Sequence, residues 1–527
     1  MSYKTLDLFA GAGGLSLGFK MSGNFDIVAA AEINKNAQTT YLNNIPDKES
    51  SFEMIDNVRG YDFAKLNERI GGIDIVIGGP PCQGFSNANR QKNHLINMNN
   101  ALVKEYFRAI QEIKPKAFIM ENVKMLSSEK HRFFESEFDN DQIIALRNAG
   151  AKIPLQTEKL FISPPEIIEI TSNGCLTEHW EEYVLPEKLR DIIRILNKNI
   201  LNSKKLPNYL KKHEKEIIKQ ITIYLEEPQN SEIAERLNNI LDGLTAKKYE
   251  SIAEETNYLA TMQKALIEIK ELFVNRIIGS YLIDDRGNLV FETNSYSVID
   301  YINAILGDTY IQIGEVLNAK WFGVPQDRKR HIVFGLRKDI VAGKEINLPK
   351  EPKGYQEITV GDAIGDLIDY PVGFTSTYKP IPYHSGDKLT MYEAKMRRES
   401  SSVKNHIATS TRATAQERFA AIKQGENFHS LDESLKTTYS NPERTQNTIY
   451  LRLAPNAPSG TVVNVRKSMW IHPELNRAVS VREAARLQSF PDSFAFFGTK
   501  DSQYQQVGNA VPPLLAKAIA NNVKEYL

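Results

Sequence analysis

The chain of 527 residues is poor in cysteine, with Cys82 and Cys175 alone. Two thiols cannot build a disulfide framework or a four-thiolate zinc site. Their scarcity, together with an opening Met1-Ser2-Tyr3-Lys4 that runs into an apolar strand without a signal-peptide pattern, leads us to expect a cytoplasmic protein. No uncharged apolar run approaches the length of a membrane span, so no membrane partner is expected. Net charge is absent as well: 65 Lys+Arg face 65 Asp+Glu. That balance hides a split. Residues 131–294 carry 21 basic and 27 acidic side chains, the remainder 44 and 38. A modestly basic body with an acidic middle fits nucleic-acid binding by the body only. There is no internal repeat and no low-complexity tract.

What is present is globular: 41% hydrophobic, 25% charged, and too long for one ordinary core. Residues 1–130 alternate short apolar strands with helices. The strands are Thr5-Leu6-Asp7-Leu8-Phe9, Asp26 to Ala31, Ile73 to Ile77 and Ala117 to Met120. Leu102, Val103, Tyr106, Phe107 and Ile110 recur at helical spacing between the last two. This pattern predicts an α/β fold with a doubly wound, mostly parallel sheet. Residues 131–294 predict an inserted acidic helical module, with no strand signal before Asn288-Leu289-Val290-Phe291. Alternation resumes over 295–338. Residues 339–477 are irregular and rich in Pro, Gly, Ser and Thr, which predicts a smaller domain, mainly of strands and loops. Residues 478–527 return to order, with Pro512-Pro513 opening a helix.

Chemistry concentrates at strand ends. Asp7-Leu8-Phe9-Ala10-Gly11-Ala12-Gly13-Gly14-Leu15 is a glycine-rich turn between strand and helix, where a ligand can approach the backbone. It fails the dinucleotide fingerprint, because the third glycine position holds Ser16. Glu32 ends the second strand, where an acid either binds ribose hydroxyls or is a solvated strand end. Asp56 follows the next strand and either accepts from an adenine amino group or forms a turn with Asn57. Gly78-Gly79-Pro80-Pro81-Cys82-Gln83-Gly84 follows a buried strand. The prolines stiffen the approach to Cys82 and the glycines leave room for a large substrate, which suits a nucleophile better than a core filler. Glu121-Asn122-Val123 ends a strand on the same edge. Gln326, Arg328 and Arg330 alternate before another strand, where basic groups would favour a thiolate and hold an anionic intermediate.

These motifs, with Arg482-Glu483-Ala484-Ala485-Arg486-Leu487-Gln488 and Gln506-Val507-Gly508-Asn509-Ala510-Val511-Pro512-Pro513 after them, resemble in content and order the DNA (cytosine-5)-methyltransferases of bacterial type. The resemblance covers residues 1–126, about 310–338 and about 478–527. It implies the Rossmann-like methyltransferase fold, S-adenosylmethionine as cofactor and duplex DNA as substrate. It also implies Cys82 attacking cytosine C6, Glu121 holding N3 and the amino group, and Arg328 and Arg330 steadying the ring. Phe9, Gly11, Gly14, Leu15, Glu32, Ile33, Asp56, Pro80, Leu102 and Asn509 match cofactor-pocket positions. Residues 339–477 match the target recognition domain. There Arg397, Arg398, Arg412, Arg418, Arg444, Arg452 and Arg466 are expected to touch phosphate or solvent, a few of them bases.

A monomer is expected, and a cognate restriction endonuclease commonly accompanies such enzymes. The insert at 131–294 departs from the usual spacing and reads best as a surface module. Two rivals remain. A transfer-RNA cytosine-5 methyltransferase shares the catalytic motifs but normally lacks a large recognition domain. A non-catalytic DNA-binding relic of the fold would not need Cys82, Glu121 and Arg328. A thiol hydrolase is unsupported, because no histidine pairs recognisably with Cys82.

Overall fold

The computed structural model describes residues 2–47, 51–81, 99–122, 132–167, 180–200, 206–228, 230–307, 309–341, 343, 345–439 and 441–527. Cys82 and Cys175 lie outside the described residues. Strands β1 (Tyr3–Leu8), β2 (Phe25–Ala31), β3 (Glu53–Ile55), β4 (Ile75–Gly78) and β5 (Ala117–Asn122) pair in parallel. Ile75, Val76 and Ile77 are all fully buried, as in a strand covered on both faces. The helices between them are α1 (Gly14–Met21), α2 (Lys35–Asn44), α3 (Phe63–Ile70) and α4 (Asn99–Ile113). Asn34 opens α2 by accepting from the N–H groups of Asn36 and Ala37. On α4, Val103, Tyr106, Phe107 and Ile110 are buried at the spacing their sequence positions predict.

Two compact units divide the chain. One comprises Met1–Cys82, Ala101–Ser127 and Ile305–Leu527, the other Gln83–Asn100 and Ser128–Ala304. The second unit has its own core. Helices α5 (Glu187–Ile200), α6 (Leu206–Glu226), α7 (Ser231–Ala246) and α8 (Tyr249–Val274) bury Ile193, Ile221, Leu237, Ile240, Leu259 and Leu266 together. It is not purely helical. Strands β6 (Arg132–Phe134), β7 (Gln156–Ser163) and β8 (Gly279–Ile283) all pair antiparallel with β9 (Leu289–Ser297). The sequence concealed β7 because its first half is polar and its partner lies more than a hundred residues away, as in Gln156 opposite Ser295.

Back in the first unit, β10 (Tyr310–Asn318) and β11 (Lys329–Arg337) add antiparallel to β5. They complete a seven-stranded sheet of order β10-β11-β5-β4-β1-β2-β3. The order reverses between β1 and β4, and ligands of such sheets bind outside the carboxyl ends at that point. The tail forms α9 (Val481–Leu487), α10 (Lys500–Asn509) and α11 (Pro513–Lys524). Helix α11 packs tightly on α1. A Cβ on Gly18 would lie 2.3 Å from that of Ala516, and one on Gly14 would lie 2.2 Å from the Val511 carbonyl.

Among the described residues of 339–477 there are fewer strands than the composition suggested: one pair, Ile381–Pro382 with Ser402–Val403. Short helices such as Val360–Ile364, Met391–Arg397 and Ala413–Ala421 alternate with loops. Val360, Ile364, Met396, Ile407, Val462 and Trp470 share the core that holds Phe334 and Leu515. Phe419, Ile422, Phe428, Tyr450 and Ile471 form a satellite core, and Leu367, Tyr370 and Val403 a smaller one. Among the described residues no helix is long and apolar enough to cross a membrane.

Candidate active site

The turn after β1 is held in a left-handed backbone at Phe9 (φ 60°), Gly11 (φ 57°) and Gly13 (φ 95°). A Cβ on Gly13 would meet Ile45 at 2.8 Å and Tyr41 at 2.9 Å, so this glycine is needed for packing as well as for conformation. A Cβ on Gly11 would meet open space. The turned backbone points the Gly11 N–H at Glu32, donating to Oε2 at 2.9 Å, while the Asn34 N–H donates to Oε1 at 2.7 Å. Asp56 Oδ1 accepts from Lys35 Nζ at 2.7 Å and from Gln38 Nε2 at 2.8 Å, which holds its carboxyl below the usual range. Ile33, next after Glu32 in the chain, is 74% exposed.

Beneath the turn, Asp7 is fully buried. It accepts from Ser16 Oγ at 2.6 Å, and Ser16 is also hydrogen-bonded to the Tyr41 hydroxyl at 2.6 Å. Burial is the main cause that pushes the Asp7 carboxyl from 3.8 up to about 7. The Ser16 bond opposes the shift and the charge of Glu32 adds to it.

The second cluster stands at the ends of β4, β5 and β11. Glu121 Oε1 pairs with Arg330 Nε at 2.7 Å, with side chains 14% and 15% exposed. Gly79 lies alongside: a Cβ there would sit 3.1 Å from Glu121 Oε2. Arg328 is turned inward instead. Its Nη1 donates to the Val462 carbonyl at 2.9 Å and its Nη2 to that of Gly508 at 3.3 Å. Burial pushes the guanidinium well below its usual pKa, Arg330 adds to that shift, and Glu121 opposes it. Arginine keeps its proton in proteins, so the two carbonyls offset the desolvation. Gln326 is buried beside it and ties Val462 N–H to the Leu487 carbonyl and Gln488.

Other predicted positions divide. Phe9 and Leu102 are half-buried, Pro80 is buried, and Asn509 is exposed, accepting from Gln505 Nε2 at 2.7 Å. The Leu15 side chain lies in the core, so only its backbone can face a ligand. The missing Cβ of Gly14 is accounted for by Val511. Three arginines expected at phosphate or solvent are buried structural groups. Arg397 binds Asp366 and Asp387, Arg418 binds the Leu435 carbonyl and Thr438, and Arg452 binds the carbonyls of Ile422 and His472. Arg466 pairs with Asp501 at 2.6 Å, while Arg398, Arg412 and Arg444 are exposed. Sequence reasoning missed Gln38 and the Asp7–Ser16–Tyr41 group. Only the helix-cap position of Asn34 hinted that residue 38 would face the strand ends.

The family model for C-5 cytosine-specific DNA methylases matches residues 3–150 and 287–525. The chain is 27% identical to the type II methyltransferase M.XorII of Xanthomonas oryzae, over 99% of this chain and 84% of that one. It is 27% identical to the DNA (cytosine-5-)-methyltransferase M.ApeKI of Aeropyrum pernix, over 100% and 99% of the two chains. Among solved structures, a prophage-encoded protein of E. coli described as a DNA modification methyltransferase superposes with a TM-score of 0.54 at 19% identity, covering 99% of both chains.

Proposed function

The chain belongs to the C-5 cytosine-specific DNA methylases, and from that premise we propose that it transfers a methyl group from S-adenosylmethionine to carbon 5 of cytosine within a specific sequence of duplex DNA. The observation that carries the reading is the Glu121–Arg330 pair beside Gly79, on the chain segment leading to Cys82. The residues after β1, β2 and β3 fit the cofactor. Glu32 and Asp56 offer carboxylates to ribose hydroxyls and an amino group, Gly11 leaves open space, and Ser16 replaces the glycine a pyrophosphate would need. When bound, the cofactor supplies an electrophilic methyl group on a sulfonium.

The chain's own residues do the rest. The cytosine must leave the duplex stack, which costs a few kcal/mol. The Cys82 thiolate adds to C6 while Glu121, held by Arg330, supports the ring at N3 and the amino group. Electron density so gained makes C5 nucleophilic. C5 takes the methyl group as the cofactor departs as a neutral thioether. A water molecule takes the C5 proton, the C–H electrons restore the C5=C6 bond, and the thiolate leaves C6 with the electron pair of the broken C–S bond. Arg328 acts through the backbone it clamps, keeping the loop at Val462 and the end of α10 at Gly508 in place. The similarity to type II methyltransferases supports a place as the modification enzyme of a restriction–modification system.

The test is incubation of the protein with methyl-labelled cofactor and either duplex DNA or transfer RNA, followed by bisulfite sequencing of the DNA. Label in duplex DNA, with protected cytosines at one recurring sequence, is expected. Label in transfer RNA, or none in either, overturns the reading.

A further inference from the structure

We propose that Gln38 is a positioning residue that locks Glu32 and Asp56 into one adenosine-binding unit and fixes which Asp56 oxygen meets the ligand's 6-amino group. This rests on the reading of both acids as cofactor ligands. Gln38 sits on the second turn of α2, its N–H donating to the Asn34 carbonyl at 2.9 Å, and it is 7% exposed. Its Nε2 donates both to the Glu32 carbonyl and to Asp56 Oδ1, the latter at 2.8 Å. Its Oε1 accepts from Lys35 Nζ at 3.2 Å. One side-chain amide thus bridges the end of β2 to the residue after β3. The two strand ends are already joined by the Glu32 N–H donating to the Ile55 carbonyl at 3.0 Å.

The bonds are directional. Lys35 and Gln38 both converge on Oδ1 of Asp56, and among the described residues no hydrogen bond reaches Oδ2. That oxygen is left to accept from a ligand. Without the bridge, Asp56 is a 67% exposed side chain on a short strand end, free to rotate. Lys35 cannot replace the bridge: its side chain is 70% exposed, and exposed ion pairs hold geometry weakly. The amide is buried and anchored at a backbone carbonyl, so it sets the direction.

Calorimetric titration with S-adenosylhomocysteine, and with its inosine counterpart in which a carbonyl replaces the 6-amino group, tests this. Gln38→Met keeps the length and removes the N–H. It should weaken S-adenosylhomocysteine by roughly 5–10-fold and leave the inosine compound within about twofold of wild type. Gln38→Glu sets a carboxylate against two acceptors and should weaken the adenosine ligand further. Equal loss for both ligands means general damage to the pocket and overturns the proposal, as does an unchanged affinity. Asp56→Ala separates the two levels. If it leaves the affinity for S-adenosylhomocysteine intact, Asp56 is no ligand and the reading of the site falls with the proposal. If it weakens binding while Gln38→Met does not, the proposal alone falls.

Discussion

Charge is used in opposite ways at two places in the first unit. Between residues 366 and 492 it is buried and fully spent: Arg486, Asp366 and Asp492 are at most 1% exposed and bound to one another. Arg397 joins them through Asp366 and Asp387, and Tyr383 through Asp492. At the sheet edge, charge is held but not exhausted. Glu121 and Arg330 are paired yet keep about a seventh of their surface open, and Asp56 has an oxygen to spare. The difference teaches which charged residues can do chemistry. A buried group whose every atom is engaged holds loops together, whereas a half-open group fixed at one atom can receive a ligand at another.

Breaking the buried web should cost the most stability. Asp366→Ala leaves Arg486 and Arg397 short of a partner, and unfolding in denaturant should show a loss of about 3–5 kcal/mol. Glu121→Gln should do the reverse, cutting methyl transfer by about 10²–10³-fold while unfolding shifts by under ~1 kcal/mol. A large stability loss from Glu121→Gln would erase the contrast.

Asp7 lies between the two cases, buried but close to the pocket. Its carboxyl keeps a proton to about pH 7 when folded against 3.8 ordinarily. Across that window the folded state binds the extra proton, so its stability falls as pH rises. Asp7→Asn carries no such slope. The variant should therefore gain on wild type across that window, by up to about 4 kcal/mol at its upper end, read from unfolding at a series of pH values. Parallel curves would place the Asp7 proton elsewhere.

What the sequence disclosed follows the range of the forces involved. The glycine turn, Glu32 and Glu121 could be placed because strand, turn and acid lie within a few residues of each other. The helical character of residues 131–294 was legible because the apolar positions that define a helix face lie three or four residues apart. The sheet there was not, since β7 meets β9 only across the whole helical segment. The fates of Arg397 and Arg452 were illegible for the same reason. Their partners Asp366 and His472 are set by tertiary packing, and an arginine surrounded by polar residues reads as solvated until that packing is known. Gln38 was overlooked because an uncharged side chain on a helix gives no sign that both ends of its amide are occupied.

Cys82 is the proposed nucleophile, and covalent trapping tests that role most directly. A duplex carrying 5-fluorocytosine at the recognition site cannot release its C5 substituent after methylation, so the thiolate stays bound. Wild-type protein with cofactor should yield a denaturation-resistant protein–DNA adduct, and Cys82→Ser, still binding S-adenosylhomocysteine, should yield none. An adduct that persists in Cys82→Ser, or no adduct from a wild-type protein that methylates the unfluorinated duplex, would contradict it.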